Sequence, residues 1–211
     1  MTGRPQAGSA LEHLRTADPV LRDLIDDLGP LDPEQWRRGR PPDPYGALLR
    51  SIVGQQLSAK AARSIFERLC TVFGGHTPAP AELLAADPET IRGAGLSGPK
   101  VAYMRDLADR VETGELALER LCELSDEAVA AQLTAVKGLG RWTADMFLIF
   151  HLGRPDVLPV GDQGIRRAVG RAYGLAGMPG AEDLTRIAQP WRPHRSLACL
   201  YLWRSLDAEP A

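Results

Sequence analysis

Residues 133–145 form the part of the chain whose chemical meaning is clearest. They read Leu-Thr-Ala-Val-Lys-Gly-Leu-Gly-Arg-Trp-Thr-Ala-Asp, and the apolar spacing on either side predicts two helices joined at Gly138 and Gly140. Glycine can take a positive φ and lets a backbone approach closely, while the first amides of a helix carry the positive end of its dipole. The segment is therefore predicted to bind phosphate at a tight glycine hairpin.

Two other interpretations of the hairpin stay open at this point. A dinucleotide-binding loop also uses closely spaced glycines, but here the third glycine is absent and no strand precedes the segment. An ordinary helix–turn–helix joint, with a glycine after the first helix, requires no ligand.

The elements that must position this hairpin are predicted to be helices throughout, because no stretch alternates with the period of a strand. Asp18-Pro19 opens a helix that stops at Gly29-Pro30. Further helices are predicted at about 44–57, 58–73, 80–92 (with a break at Asp87-Pro88 as an alternative), 99–112, 125–135, 142–152, 162–174, 181–189 and 194–206. Residues 1–9 are expected to be a flexible lead-in, and residues 10–211 one all-α domain of two lobes around a central cleft.

Composition restricts the class of protein further. Of 211 residues, 44% are apolar and 25% charged, as in an ordinary globular domain. No apolar run approaches the roughly 18 to 20 residues of a membrane-spanning helix, and residues 1–9 lack the apolar core of a signal peptide. We therefore expect a cytoplasmic protein with no membrane partner. The formal charge of −2 is uneven, since residues from 163 onward are net basic and the rest is net acidic.

Neither the cysteines nor the histidines have the spacing of a metal site. Cys70, Cys122 and Cys199 are scattered, so no zinc site, iron–sulfur cluster or redox pair is expected. The four histidines show no ligand spacing either. The sequence predicts a protein without a cofactor or a protein-bound divalent metal.

Five segments together resemble the helix-hairpin-helix (HhH-GPD) DNA glycosylase superfamily. The hairpin resembles the motif itself, and loop 153–161 followed by Asp162 resembles its companion segment. Residues 51–58 (Ser-Ile-Val-Gly-Gln-Gln-Leu-Ser), 95–100 (Gly-Leu-Ser-x-x-Lys) and 191–196 (Trp-Arg-Pro-x-Arg-Ser) are similar to segments of the AlkA-type 3-methyladenine DNA glycosylases. The resemblance runs in family order over about residues 18–206.

The resemblance implies a monofunctional base-excision enzyme that flips a damaged nucleotide out of duplex DNA and hydrolyses its N-glycosidic bond. Asp162 matches the catalytic aspartate of that family. Held beside C1′, such a carboxylate stabilises the cationic transition state and orients or deprotonates the attacking water. From the residues alone an N-cap is the simpler role for Asp162, and the two roles are compatible. The rival carboxylates, Asp145 and Asp156, do not match the motif.

The lesion pocket is also assigned by resemblance. Trp142 occupies the position where bifunctional members carry a lysine, which implies no strand-cutting activity. Its indole would stack on a cationic alkylated base. The alternative is that Trp142 is a core residue. Gln55 matches a pocket-lining residue and Gln56 the plug that fills the gap left by the flipped base, although both could be ordinary polar surface residues. Met146 replaces a tyrosine, His194 a tryptophan, and Gln56 the leucine of many relatives, so the lesion range does not carry over intact.

DNA-backbone contacts are implied for a larger set. It consists of hairpin residues and of residues at the start of the last helix: Lys137, Gly138, Leu139, Gly140, Arg141, Thr143, Arg195 and Ser196. The carbonyls of Thr134, Val136 and Leu139 would be able to hold a monovalent cation that supports phosphate binding. Arg166 and Arg167 would add positive charge.

The expected partner is double-stranded DNA that contains damaged bases, bound by a monomer. One alternative is a glycosylase of the same fold that acts on deaminated, oxidised or mismatched bases. A second is a helix-hairpin-helix module that only binds the DNA backbone. Asp162 argues against the second, since such a module gains nothing from a carboxylate pointed at a polyanion.

Overall fold

The structure, a computed structural model, describes residues 7–31 and 41–207. Within these ranges every regular element is a helix and no residue lies in a strand, which confirms the predicted all-α class. The α-helices are α1 (Ala7–Ala17), α2 (Pro19–Leu28), α3 (Pro44–Gly54), α4 (Ala59–Val72), α5 (Pro80–Ala85), α6 (Pro88–Gly93), α7 (Gly98–Glu112), α8 (Asp126–Thr134), α9 (Arg141–Phe150), α10 (Gln163–Ala172), α11 (Ala181–Ile187) and α12 (Arg195–Asp207). Short 3₁₀ helices span Leu118–Glu123 and Gln189–Trp191.

These helices belong to two compact units, which we name by their functional residues. The hairpin unit consists of residues 41–152, and the Asp162 unit combines residues 7–31 with residues 153–207. No helix in the described part of the chain is both long and apolar enough to cross a bilayer.

Polar caps and prolines determine where most of the helices begin. Asp18 caps α2 by accepting hydrogen bonds from the amides of Val20 and Leu21 at 2.9 and 3.2 Å, as its place before Pro19 predicts. Ser58 and Ser125 cap α4 and α8 in the same way. Capping residues were a sound guide to the helix starts.

The predicted elements and the observed ones differ in three places. Predicted helix 80–92 is divided into α5 and α6, which confirms the alternative of a break at Asp87-Pro88, because a residue that precedes proline disfavours the helical conformation. Helix α1 begins at Ala7, inside the segment predicted to be a flexible lead-in. The 3₁₀ helix Leu118–Glu123 was not predicted, and it buries Leu118 and Leu121.

The core of the hairpin unit is built around α3, α7 and α9. Helix α3 buries Leu48, Leu49, Ile52 and Val53, α7 buries Val101, Met104, Leu107 and Ala108, and α9 buries Ala144, Phe147 and Leu148. Helix α3 contacts both α7 and α9, and α8 contacts α9. The hairpin between α8 and α9 is therefore attached to the most deeply buried helices of this unit.

The Asp162 unit has a core of its own, and α10 is embedded in it. The core joins Leu14, Leu21 and Ile25 from the first two helices to Ile165, Val169, Leu184, Trp191, Tyr201 and Leu202. Buried Asp18 connects these segments further, since its carboxylate accepts hydrogen bonds from the Tyr173 hydroxyl and the Trp191 indole. Asp162, which directly precedes α10, thus lies at the start of a firmly packed helix.

Candidate active site

The hairpin turns at Gly138, where two separate constraints require glycine. Its φ is +77°, in the left-handed region that side chains disfavour. A Cβ atom added there would lie 2.1 Å from the Tyr103 ring. This glycine is therefore fixed both by backbone conformation and by the close approach of α7.

Gly140 takes a different conformation, so of the two hairpin glycines only Gly138 uses a positive φ. The φ and ψ of Gly140 are −99° and 175°, which is extended backbone, and a Cβ atom would meet nothing within 4 Å. Gly140 is instead the N-cap of α9 and supplies no side-chain hydrogen bond to that helix. Since the first amides of a helix have no acceptor within the helix, this arrangement suits an external anion.

Two cationic side chains on the hairpin are exposed to solvent, and each also pairs with a carboxylate. Lys137 has a 71% exposed side chain whose Nζ lies 3.3 Å from Asp106, and its amide donates to the same carboxylate. Arg141, 62% exposed, donates from Nε to Asp145 at 2.8 Å. Exposed surface of both side chains thus remains for phosphate contacts, as predicted for a DNA-binding hairpin.

The carboxyl groups that hold these two cations have opposite pKa shifts. Burial raises the pKa of Asp145, and the hydrogen bond and charge of Arg141 oppose that shift without cancelling it. Burial also raises the pKa of Asp106, but hydrogen bonds from Lys137 and Arg110 outweigh it, so the net shift is downward.

Other hairpin residues are buried and can meet a ligand only through their backbone. Leu139 and Thr143 are each 4% exposed. The Val136 carbonyl accepts a hydrogen bond from the Leu139 amide at 3.1 Å. The monovalent-cation site on the carbonyls of Thr134, Val136 and Leu139 stays a prediction. In the described residues no three histidine, cysteine, aspartate or glutamate side chains are grouped to hold a metal ion.

Gln55 and Gln56 lie in a turn, residues 54–57, that we call the wedge turn. Gln55 has φ −54° and ψ 128°, Gln56 has φ +58°, and the Leu57 amide donates to the Gly54 carbonyl at 3.1 Å. These values match a type II turn, whose third position normally requires glycine or asparagine. Gln56 is the only described residue other than glycine with a positive φ, a conformation that disfavours a side chain by about 1–2 kcal/mol.

The two glutamine side chains have different environments. Gln56 is exposed, which fits a residue that inserts into DNA. Gln55 is partly buried, and its Nε2 donates to the Gly138 carbonyl at 2.7 Å. The predicted pocket-lining residue therefore also attaches the wedge turn to the hairpin. Its place in the lesion pocket stays a prediction.

Trp142 and Met146 lie one helical turn apart on α9. Residues four apart share a helix face, so both predicted pocket residues lie on one side of α9. Trp142 is 46% exposed, which excludes the alternative that it is a core residue. Met146 is partly buried.

Asp162 is the N-cap of α10 and is 9% exposed. Its Oδ1 accepts hydrogen bonds from the Ile165 amide at 2.7 Å and from the Trp203 indole at 3.0 Å. A Cβ atom on Gly164 would lie 3.0 Å from this oxygen, so a larger residue there would crowd it. The capping role of Asp162 is confirmed, and the carboxylate is fixed in one orientation.

Trp203 is a functional candidate that the sequence did not reveal. It lies on α12, forty-one residues after Asp162, and its indole donates to the carboxylate. No local pattern marks a contact between positions so far apart in the chain.

Arg195 and Ser196 are engaged within the Asp162 unit. Arg195, with 14% of its side chain exposed, pairs with Asp156 at 2.6 Å, and Arg192 pairs with the same carboxylate. The Ser196 hydroxyl accepts from the Val157 amide and donates to the Arg154 carbonyl. These side chains hold loop 153–161, and their contact with DNA stays a prediction.

His194 contacts a second histidine in the same unit. Its ring packs edge to face against His13, with the ring centroids 5.3 Å apart. Burial and the neighbouring His13 lower the pKa of His194, while Asp156 acts in the opposite direction. The imidazole is thus held toward its neutral form.

The predicted site residues therefore fall into two groups. Gln55, Gln56, Trp142, Met146 and the hairpin belong to the hairpin unit. Asp162, His194, Arg195 and Ser196 belong to the Asp162 unit. Family comparison tests whether these groups belong to a known kind of protein.

A sequence profile of the HhH-GPD superfamily of base excision DNA repair proteins matches residues 49–193. The chain belongs to this superfamily. The matched range includes the wedge turn, the hairpin and Asp162, so the local geometry described above is that of an HhH-GPD protein.

Individual members of the superfamily are similar over nearly the whole chain. DNA-3-methyladenine glycosylase 1 of Schizosaccharomyces pombe is 33% identical over 92% of this chain and 85% of the relative. A solved structure of the S. pombe 3-methyladenine DNA glycosylase in complex with abasic DNA has a TM-score of 0.85 at 32% identity, covering 94% of this chain and 97% of that one. A DNA-3-methyladenine glycosidase from Bacillus halodurans has a TM-score of 0.82 at 36% identity, with 94% and 89% covered.

Proposed function

We propose that this protein is a monofunctional DNA-3-methyladenine glycosylase of the AlkA type, which releases alkylated bases flipped out of duplex DNA. The observation that carries the proposal is the buried Asp162 carboxylate, fixed at a helix N-terminus by two donors. A module that only bound the DNA backbone would gain nothing from such a group. The class of base follows from the names of the similar yeast and bacterial proteins.

Asp162 supplies the electrostatic part of the reaction. As the bond between C1′ and the base breaks, positive charge develops on the deoxyribose, and a fixed carboxylate stabilises it. Water then forms the new bond to C1′, and the carboxylate orients that water or accepts its proton. Because Ile165 and Trp203 already hold Oδ1, little reorientation is needed during the reaction.

Trp142 supplies recognition of the base. Alkylation at N3 or N7 makes a purine cationic, and the face of an indole attracts a cationic ring. The cationic base is also a good leaving group, so the reaction needs no strong general acid. The half-exposed indole of Trp142, with Met146 on the same helix face, supports this role.

The same tryptophan supports a reaction that stops at the abasic site. Bifunctional relatives use a lysine two residues after the second hairpin glycine as a Schiff-base nucleophile. In this chain that residue is Trp142, and the neighbouring Lys137 pairs with Asp106. Strand breaks should therefore appear only after chemical cleavage of the abasic product.

The hairpin is the proposed contact with the DNA backbone. The uncapped start of α9 and the exposed cations beside it suit the phosphates of a duplex. We expect the protein to bind damaged DNA as a monomer.

The test is release of free bases from methylated duplex DNA in EDTA by wild type and Asp162→Asn. Asparagine caps helices as well as aspartate does, so the variant should fold, and release should fall by at least about 100-fold. Strand breaks are scored before and after alkali. Asp145→Asn is the matched control, because it neutralises another buried carboxylate, and it should retain most of the activity.

Four outcomes would contradict the proposal. Release that persists in Asp162→Asn would remove the catalytic role of this residue, and a comparable loss in Asp145→Asn would transfer that role to Asp145. Strand breaks without alkali would show a bifunctional enzyme. If wild type bound the duplex and released no alkylated base, the substrate would be another class of lesion or the protein a binding module.

A further inference from the structure

The wedge turn contains a strain that its own residues do not explain. Gln56 has a φ of +58° at a turn position that favours glycine, and its side chain is exposed. In the described part of the chain the Gln56 side chain makes no hydrogen bond that would hold this conformation. A neighbouring element must therefore support it.

Lys100 on α7 provides that support. Its Nζ donates to the carbonyls of Val53 and Gln55, at 2.8 Å each. The Gln55 carbonyl belongs to the peptide group between Gln55 and Gln56, whose orientation is set by the ψ of the first residue and the φ of the second. Fixing this oxygen therefore fixes the strained torsion of Gln56.

The position of Lys100 makes these two hydrogen bonds effective. Lys100 is partly buried, and desolvation lowers the pKa of its ammonium group. Both carbonyls lie at the end of α3, where the negative end of the helix dipole attracts a cation. Among the described residues no carboxylate pairs with Lys100, and its ammonium group donates to these two backbone carbonyls.

The same face of α7 also holds the hairpin. Tyr103, one turn after Lys100, packs against Gly138, and Asp106, one turn further, accepts a hydrogen bond from the Lys137 amide at 2.9 Å. Gln55 completes the connection by donating from its side chain to Gly138. Helix α7 thus contacts both the wedge turn, which contains the predicted plug residue Gln56, and the hairpin that is predicted to bind phosphate.

From these contacts we infer that Lys100 is a positioning residue for base flipping: it holds Gln56 in the left-handed conformation and at a fixed distance from the hairpin. The inference rests on the proposed glycosylase function. Its consequence is that Lys100 affects the rate of base extrusion and excision after DNA has bound. Duplex affinity, which depends on the hairpin and its cations, should change little.

The first test is Lys100→Met, which keeps the aliphatic stem and removes the donors. Single-turnover excision at saturating enzyme should slow by about tenfold, because small displacements of positioned groups have large effects on rate. The dissociation constant for duplex DNA should stay within about threefold. The matched control is Lys60→Met, which removes an exposed lysine from the neighbouring helix α4 and should leave the excision rate unchanged. Lys100→Arg, which can donate to both carbonyls, should recover most of the rate.

A double-mutant cycle separates positioning from general stabilisation. Glycine adopts a positive φ without support, so in a Gln56→Gly background Lys100→Met should lower the remaining rate by no more than about twofold. Equal losses in the two backgrounds would overturn the inference. If thermal unfolding shows that Lys100→Met does not fold, Lys100→Gln takes its place in the same cycle and is judged by the same outcomes.

A measurement without DNA distinguishes failure of this inference from failure of the proposed function. The Leu57 amide closes the wedge turn on Gly54, so its hydrogen exchange in the free protein should be about tenfold faster in Lys100→Met than in wild type. Unchanged exchange would refute the role of Lys100, whatever the substrate is. Faster exchange together with a wild type that releases no base would retain the role of Lys100 in the turn and refute the glycosylase assignment.

Discussion

Helices α9 and α10 begin in opposite ways, although residues at both starts are predicted to act on DNA. Helix α9 follows Gly140, which offers no side-chain acceptor, whereas α10 follows Asp162, whose carboxylate accepts from the Ile165 amide. A helix N-terminus attracts negative charge in both cases. At α9 the N-cap residue leaves that charge to be supplied by another group, such as a ligand, while at α10 the N-cap residue supplies it.

The comparison shows how one structural element can serve two opposite chemistries. An uncapped terminus suits a phosphate, and a terminus capped by a carboxylate repels phosphate and presents negative charge to a developing cation. Whether the N-cap residue is glycine or aspartate determines whether a helix start binds an anion or presents negative charge. The predictions below alter that residue or the groups that support it.

The largest effect is expected at the entry to α9. Gly138→Ala combines a positive φ with a clash against Tyr103, so the free energy of unfolding in urea should fall by about 3 kcal/mol or more. Gly140→Ala is the matched control, since a Cβ atom there meets open space, and its loss should stay below about 1 kcal/mol. Equal losses in the two variants would mean that Tyr103 does not restrict the hairpin.

Gly140→Asp converts the start of α9 into a copy of the start of α10. Stability should be unchanged or slightly higher, because aspartate caps a helix well. Duplex affinity, measured by fluorescence anisotropy, should fall by about tenfold through competition for the amides and repulsion of phosphate. Gly140→Ser adds a neutral cap and should lose less affinity, so indistinguishable affinities for Asp, Ser and Gly would show that this terminus does not bind DNA.

Trp203→Phe removes one donor from the Asp162 carboxylate and keeps an aromatic ring. Excision should slow by about fivefold, which corresponds to the usual worth of one hydrogen bond. Trp191→Phe removes an indole donor from Asp18, a structural carboxylate of the same unit, and should reduce stability without slowing excision by the folded protein. A similar rate loss in both variants would reduce the role of Trp203 to packing.

The smallest effect concerns the pH dependence contributed by Asp145. Burial raises its pKa in the folded state, with Arg141 opposing the shift. The folded state then binds more protons than the unfolded one, so stability falls as the pH rises from the unfolded pKa to the folded pKa. Relative to Asp145→Asn, wild type should lose unfolding free energy as the pH rises from about 3.5 toward neutrality, measured by urea unfolding at a series of pH values.

Asp106 is the control, because its contribution to the unfolding free energy should change with pH in the opposite direction. Its pKa is lowered overall, since the hydrogen bonds from Lys137 and Arg110 outweigh burial. Its contribution is present above the unfolded pKa and is lost as the pH falls through the folded pKa. If Asp106→Asn and Asp145→Asn, each compared with wild type, gave pH slopes of the same sign, the assigned environments of these carboxylates would be wrong.

Local sequence signals predicted much of the fold. Asp18-Pro19, Ser58 and Ser125 marked helix starts because capping and proline act within a few residues. Helix α1 was not predicted to begin at Ala7, and its stability comes from packing in the core that contains Leu14. A weak start supported by distant contacts is not visible in the sequence.

Candidate site residues were found by motif, and their partners were not. Asp162 and Trp142 could be named because each lies at a fixed offset from a recognisable segment. The Trp203 contact with Asp162 and the Gln55 contact with Gly138 join positions far apart in the chain. Such hydrogen bonds depend on how helices pack, which local spacing does not determine.

The division of the chain between the two units has a consequence for the order of folding during synthesis. The hairpin unit is continuous, so its helices are all available once residue 152 has emerged from the ribosome. Helices α1 and α2 are made first, yet their apolar faces pack against Ile165, Trp191 and Leu202, which are made last. Since domains generally fold as soon as their parts are present, the hairpin unit should acquire its structure before the Asp162 unit. The nascent protein therefore passes through a stage that has the hairpin and lacks the completed Asp162 unit.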